Sequence, residues 1–348
     1  MRTELLDYEL PTELVAERPP PRRDDGRLLV LAAGSCEHRR VRELVELVPE
    51  GALLVLNDTR VLPARLRGAR SSGGKAEFLL LRRLQDGEHD QLWTALARPA
   101  KKLGPGERVT VGALRATVLA RGDGGEVSLR LQSPLGVSEE LGRVGRVPLP
   151  PYIAREDDAD DRERYQTIYA RNEGSAAAPT AGLHLSEELL AAFAARGVER
   201  AQVTLHVGLG TFRPVTSDDL DDHEMHGEWF QLDDSVARAI ESARARECPV
   251  VAVGTTVVRA LESARDADRP GHVRACSGET RLLIQPGFSF SVTDSLLTNF
   301  HQPRSTLLAL VSAFAGLERV REAYRTALEE RYRFLSYGDA MWIPRRAS

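Results

Sequence analysis

The sequence predicts a mixed α/β protein of two domains, a main α/β domain carrying an inserted small β-barrel domain. Three observations point there. A β–α–β rhythm opens the chain. A run of short strands with Gly/Pro/Asp turns and no helical period follows from about Arg65 to Leu131. Helices alternating with apolar strands then return in the second half. The expected boundaries are 1–64 and 150–348 for the main domain and 65–149 for the insert.

In the first part, Leu28–Ala33 reads as a strand and Val41–Val48 as a helix with Val41, Leu44, Val45 and Val48 on one face. Gly51–Leu56 reads as a buried strand ending in a polar turn, Asn57-Asp58-Thr59-Arg60. The insert should hold strands at Glu77–Leu84, Gln91–Ala97, Arg108–Val111, Ala116–Ala120 and Glu126–Leu131. Pro148, Pro150 and Pro151 mark its exit, and the charge run Glu156–Arg164 reads as a solvated loop. Ser186 N-caps a helix that stops at Gly197. Further helices are expected from Ser235 to about Arg246 and at Val257–Ala264, Ser305–Phe314 and Glu318–Arg331. Pro249–Gly254 and Leu282–Ile284 are the strand candidates between them.

The 348 residues suffice for two cores, and no apolar run is long enough to span a bilayer. The N-terminal stretch lacks the apolar segment of a signal peptide, and Cys36, Cys248 and Cys276 form no CxxC pair. A cytoplasmic protein with reduced thiols is expected, Cys248 and Cys276 being inert packing residues. A monomer is the expected state.

A net charge of −4 leaves no bulk footprint of a nucleic-acid binder. Locally the picture differs. Lysine occurs only at Lys75, Lys101 and Lys102, all in the insert, and Arg60, Arg65, Arg67 and Arg70 lead into it. With Arg98, these residues make two basic clusters that would contact a phosphate backbone if they share a barrel face; a solvated surface is the alternative. Asparagine is equally scarce, at Asn57, Asn172 and Asn299. A chain this rich in alanine and arginine spends Lys or Asn either by chance or where a site uses that chemistry.

The chemistry concentrates in Val203–His226. Val203, Leu205 and Val207 alternate with Thr204 and His206, so the two polar side chains share a strand face. Gly208 and Gly210 allow a sharp turn or close approach of a ligand. An acidic segment with Asp222, His223 and His226 follows. His206 reads either as an acid/base group, its pKa raised by that segment, or as a core histidine satisfied by hydrogen bonds. His223 and His226, three apart, lack a third spaced metal ligand. Two further unusual blocks, APTAGLHL with Thr180 and His184 and LLTNFHQP with Asn299 and His301, are expected to converge with this stretch on one pocket. Gly254-Thr255-Thr256 joins a strand end to a helix start, which either binds an anion or is simply capped by threonine. No GxGxxG and no P-loop is present.

Several long blocks appear in order from Tyr8 nearly to Ile343: LNDTRVLPARL, APTAGLHL, VTLHVGLGTFRPV, DHEMHGEWF, VAVGTTVVRALES, LLTNFHQPRSTLLALVSAFAG and YRFLSYGDAM. Together they resemble the S-adenosylmethionine:tRNA ribosyltransferase-isomerase family of queuosine biosynthesis. Leu185, Gln302 and Arg304 stand where the family usually has Phe, Leu and Lys, and the segment between Ala264 and Gly278 looks trimmed. The resemblance implies an α/β plus β-barrel fold, a tRNA carrying 7-aminomethyl-7-deazaguanine as substrate, and S-adenosylmethionine as ribosyl donor. It implies no prosthetic group and no metal. The catalytic candidates are then His206, Asp222, His223 and His226. The donor-binding candidates are Thr204, Gly208, Gly210, Gly254, Thr255, Thr256, Thr180, His184, Asn299 and His301. The tRNA-binding candidates are Arg60, Arg65, Lys75, Lys101 and Lys102. A noncatalytic tRNA-binding paralogue and a metal-dependent hydrolase using His223 and His226 are the competing expectations.

Overall fold

The computed structural model describes residues 1–32, 34–208 and 214–344. The chain forms a nine-stranded mixed sheet, a closed six-stranded barrel and a two-stranded ribbon.

The first strands are β1 (Arg27–Ala32), β2 (Ser35–Arg40), β3 (Leu53–Asn57) and β4 (Thr59–Val61). The chain then enters the barrel: β5 (Arg65–Arg70), β6 (Lys75–Gln85), β7 (Asp90–Arg98), β8 (Arg108–Val111), β9 (Leu114–Arg121) and β10 (Glu126–Gln132), closed in the order β10-β7-β6-β5-β8-β9. Alternation makes it close. Gln91, Trp93, Ala95 and Ala97 of β7 point inward with Phe78 and Leu80 of β6 and Val127 and Leu129 of β10, while the intervening residues face out. Closure also leaves no strand edge exposed. The sequence reading missed β5, whose RLRGAR hides its alternation behind arginines, and Gly68 is required there because a Cβ would lie 2.3 Å from the Thr110 carbonyl.

After the barrel come the strands β11 (Asn172–Ser175), which pairs with β4, then β12 (Glu199–Leu205), β13 (Glu228–Leu232), β14 (Val250–Val253), β15 (Cys276–Thr280), β16 (Ser295–Asn299) and β17 (Ala340–Ile343). The large sheet runs β15-β13-β12-β3-β14-β16-β17-β1-β2. Its centre, β12-β3-β14-β16, is parallel, and β17 runs antiparallel to β16.

The helices are α1 (Leu44–Leu47), α2 (Val137–Val144), α3 (Ala159–Arg164), α4 (Glu187–Ala195), α5 (Asp234–Ala245), α6 (Thr255–Ser263), α7 (Thr306–Ala315) and α8 (Leu317–Glu329). Strand β3 is buried throughout because both sheet faces are covered. Leu53 and Val55 pack with Ile240 of α5, Val257 of α6 and Leu308 of α7, whereas Leu54 and Leu56 pack with Leu44 of α1 and Phe193 of α4. Ser186 and Ser305 cap α4 and α7, each accepting from the backbone N–H three residues on.

Four expectations are corrected. Asn57-Asp58-Thr59 is polar but not a turn: Asn57 ends β3, Thr59 begins β4, and all three are buried. Glu156–Arg164 is not a solvated loop. Asp158 caps α3, and Asp161 is buried, taking hydrogen bonds from Arg155 at 2.6 and 2.8 Å and from Tyr337 at 2.8 Å. Leu282–Ile284 is not a strand, because its first residue spends its backbone on side chains: the Leu282 N–H donates to Thr280 and its carbonyl accepts from Arg259. Cys276 is exposed on β15 rather than packed. The helix α2, which packs Val137 and Leu141 on the barrel core, was not expected at all. Among the described residues no helix is long and apolar enough to cross a membrane.

Candidate active site

The parallel strands β12, β3, β14 and β16 end at one edge of the sheet, and each delivers part of the candidate site there: His206 to Gly208, Asn57 to Thr59, Gly254 to Thr256, and Asn299 to His301. Carboxyl ends of parallel strands are where α/β sheets take ligands, since the loops beyond them are free of the ladder.

A buried polar network joins the first two. The Asn57 amide donates to the Leu205 carbonyl (2.9 Å) and to Thr256 Oγ1 (3.3 Å), and its oxygen accepts from the Thr59 and Leu205 N–H groups (both 3.1 Å). Asp58 accepts from the Thr204 hydroxyl at 2.7 Å and from the Asn172 amide at 3.1 and 3.2 Å. Thr59 Oγ1 lies 2.8 Å from His206 Nδ1. The His206 ring stacks on Trp229 with centroids 5.0 Å apart and planes at 22°. Gly174 covers the ring on another side; a Cβ there would stand 2.5 Å from Nε2, so only glycine fits.

His206 lines a cleft between the sheet edge and the barrel. Leu81, Arg82 and Leu96 of the barrel face Gly174, Gly208 and Trp229 across it. Arg82 bridges the two parts by an ion pair to Glu279 at 2.8 Å. A second cavity shares Gly208, His226 and Glu228 with this cleft and adds His223, Arg259 and Leu307. A third shares Leu307 and contains Thr180, Asn299, His301 and Gln302. The three blocks therefore line adjoining cavities along one edge rather than a single pocket. Gly210 lies outside the described residues.

Beneath the second cavity Glu228 and Arg259 form a buried ion pair. Arg259 also donates to the carbonyls of Leu282 (3.1 Å) and Thr280 (3.4 Å), and Glu228 accepts from the Gly208 N–H at 2.9 Å. The pair thus ties the cleft floor to α6 and the β15 edge. Around the third cavity, Thr180 donates to Asn299 Oδ1 (3.1 Å), and Asn299 Nδ2 contacts His184 Nε2 and the Leu335 carbonyl (both 3.1 Å). His301 Nε2 lies 2.8 Å from Thr298 Oγ1.

Electrostatics correct one expectation. Burial holds His206 below the ordinary histidine value, and Asp58 only partly opposes it; the acidic segment does not raise it. Asp222 is exposed, and His223 is lowered by burial and then by His226. Full burial takes His184 down to about 4 and His301 to about 3, with Arg333 adding to the fall at His184. Both folded values lie below the unfolded 6.5, so in the window between them the unfolded chain binds more protons and stability rises with pH. Their contribution is complete above about pH 6.5 and is lost as pH falls towards 4 and 3; at pH 5 each costs about 2 kcal/mol. Urea midpoints at pH 7.5 and 5 should show the loss, and His184→Gln should reduce it. Equal midpoints would contradict it.

The basic residues separate into two places. Lys75, Lys101 and Lys102 are exposed at one barrel end, where β6 begins and β7 finishes. Ala100, just before Lys101, neighbours Gly125, next to Gly124 and Glu126 of the cleft. Arg65 is at the other end of β5, half-buried and donating to the Leu149 carbonyl at 3.2 Å. Lys75 of the first cluster therefore shares an end with Lys101 and Lys102 of the second, whereas Arg65 does not. Arg67 and Arg70 are paired with Glu77, Glu156 and Glu107, and exposed Arg60 lies 4.0 Å from Glu173.

Comparison with known proteins decides the family. The sequence matches the family described as queuosine biosynthesis protein over residues 3–343. A protein of Sorangium cellulosum named S-adenosylmethionine:tRNA ribosyltransferase-isomerase is 54% identical, covering 99% of this chain and 98% of its own. A namesake from Methylorubrum extorquens is 50% identical over 98% and 96%. The solved structure of S-adenosylmethionine tRNA ribosyltransferase from Thermotoga maritima is 37% identical over 97% of this chain and 99% of that one, with a TM-score of 0.55. The chain belongs to the S-adenosylmethionine:tRNA ribosyltransferase-isomerase family. This ribosyltransferase-isomerase fold places Asn57, Asp58, Thr59, Asn172, Gly174, Glu228 and Arg259 at or behind the edge, none of which the sequence reading assigned a role. The one signal that could have found some of them was scarcity: all three asparagines are in these networks. Of Leu185, Gln302 and Arg304, Gln302 lines the third cavity, Leu185 is core, and Arg304 pairs with Asp7 at 3.7 Å. Among the described residues no three His, Cys, Asp or Glu side chains are placed to hold a metal ion.

Proposed function

We propose that this enzyme transfers and isomerises the ribosyl group of S-adenosylmethionine onto 7-aminomethyl-7-deazaguanine in the tRNA wobble position, giving epoxyqueuosine-tRNA, adenine and methionine. The observation that carries this reading is the cleft between barrel and sheet edge. It holds a stacked histidine backed by a buried polar network, and Ala100, next to Lys101, neighbours Gly125 beside it.

The sulfonium acidifies the neighbouring C5′, a base removes a proton there, adenine departs as the ribose opens, the aminomethyl amine attacks, and ring closure expels methionine. Three things are asked of the protein: proton handling, stabilisation of departing charge, and exclusion of water from a reactive intermediate. His206, His223 and His226 lie on either side of Gly208 and supply the proton-handling and charge-stabilising groups; Thr204 orients the network from behind. Trp229, Leu81 and Leu96 supply the apolar walls. Thr180, Asn299 and His301 line the donor side, with His184 behind Asn299. His184 and His301, held neutral by burial, act there as hydrogen-bonding groups rather than cations. No prosthetic group is needed for this chemistry, and its setting is the cytoplasm.

The experiment is adenine release from S-adenosylmethionine with and without tRNA carrying the modified base. Release only with that tRNA supports the reading; tRNA binding without release would favour a noncatalytic paralogue.

The start of α6 is assigned to the methionine carboxylate, because its N–H groups reach the same edge. Thr255→Val with Thr256→Val should weaken donor binding by about 1–3 kcal/mol in calorimetry. Unchanged affinity in a folded variant would remove this assignment. Lys75, Lys101 and Lys102, with exposed Arg60, are assigned to the tRNA backbone. A triple lysine-to-alanine variant should lower the slope of log affinity against log salt by about one per lost contact. A parental slope and affinity would count against the lysines.

A further inference from the structure

Thr59 is fully buried, and its hydroxyl has a single hydrogen-bond partner among the described residues, His206 Nδ1 at 2.8 Å. A hydroxyl carries one proton to donate, and a buried donor left unsatisfied is costly. Nδ1 is the acceptor in reach. Accepting there requires a lone pair on Nδ1, and in a neutral imidazole the ring proton then resides on Nε2. The ring cannot readily turn over to exchange its two nitrogens, because Trp229 stacks on it and Gly174 leaves no space beside Nε2 for so much as a Cβ. His206 itself lines the cleft.

We infer that Thr59 is a positioning residue that holds His206 in the Nε2–H tautomer, so that the ring presents a hydrogen-bond donor to the cleft. The tautomer follows from the contacts alone; its use in the reaction rests on the function proposed above. There, the neutral ring keeps its proton and donates a hydrogen bond to negative charge developing as the C1′–N bond breaks and its electron pair moves onto adenine. A neutral imidazole acting as donor is a known way to stabilise such charge. The group that takes the C5′ proton is then a different one, and His223 and His226 are the histidines beside it.

The test is a long-range proton–nitrogen correlation spectrum of the full chain labelled with nitrogen-15 histidine, at pH 7.5. His206→Gln identifies the His206 signals by their loss. The expected pattern is an unprotonated Nδ1 and a protonated Nε2. Thr59→Val should move both nitrogens towards the average of two exchanging tautomers, and Thr59→Ser should restore the parent pattern. A protonated Nδ1 in the parent, or a Thr59→Val spectrum identical to the parent's, overturns the inference. If Thr59→Val does not fold, the parent spectrum decides alone. Adenine release separates the two readings: Thr59→Val should lower kcat by about 10–10³-fold with donor KM little changed. A shifted tautomer with parental turnover would leave the inference standing and remove His206 from the proposed mechanism.

Discussion

His206→Ala should slow adenine release by about 10²–10⁴-fold, the usual cost of losing a positioned acid/base or hydrogen-bonding group. The argument begins with the chain. β12 ends at Leu205, so His206 is the first residue past the strand, where its side chain leaves the core for the cleft. Thr59 and Trp229 fix its position, and Gly174 gives it space. Because burial keeps it below the ordinary histidine value, activity that depends on the neutral ring should hold at neutral pH and fall only under acidic conditions, as the ring gains its second proton. Donor and tRNA binding should change little in the variant. The change also leaves the buried Thr59 hydroxyl without its acceptor, so a loss of about 1–3 kcal/mol in stability should accompany it. Single-turnover adenine release, read beside urea unfolding, separates the two effects. Turnover within a few-fold of the parent would make His206 structural.

Arg259→Met should destabilise the fold by about 3–5 kcal/mol, the scale of removing one partner from a buried ion pair. Both side chains of the pair are almost wholly buried, at 5% and 3% exposure, so solvent cannot take over for the lost guanidinium. The carbonyls of Thr280 and Leu282 lose a charged donor as well. Since Glu228 also holds the Gly208 N–H, the damage should reach the cleft floor and weaken donor binding. Adding Glu228→Gln to Arg259→Met should recover part of the stability, because the buried charge is then gone too. Urea unfolding of the single and double variants measures this. A single-variant loss below about 1 kcal/mol would show that the pair is better hydrated than its burial implies.

Much of the architecture was legible in the sequence because it is local. Five of the six barrel strands announce themselves by a period of two between Gly/Pro turns, and α4 and α7 by serine caps. Where local signals mislead, a distant partner is the cause. Asn57-Asp58-Thr59 has the composition of a polar turn, yet Thr204, Leu205 and His206, nearly 150 residues later, supply much of its hydrogen bonding, with Asn172 on Asp58 and Thr256 on Asn57. Glu156–Arg164 looks like a solvated charge run, yet Arg155 and Tyr337 neutralise and bury Asp161. β13, β15 and β17 are short, and their residues show little period because their identity as strands comes from neighbours in the sheet.

The candidate site divides in the same way. The sequence by itself determined which residue types were available and where they cluster: three histidines with two glycines in one stretch, three lysines in the insert, three asparagines in the whole chain. It also set Thr204 and His206 two residues apart at the end of a strand candidate. Only the tertiary structure decided which of them meet. It set Thr59 rather than Asp222 against His206, left Asp222 in solvent, lowered rather than raised the histidine, and turned Arg65 away from the lysines. The physical reason is that hydrogen-bond partnership and desolvation depend on distance in space, and the parallel crossovers that bring β3, β12, β14 and β16 to one edge join segments far apart in the chain.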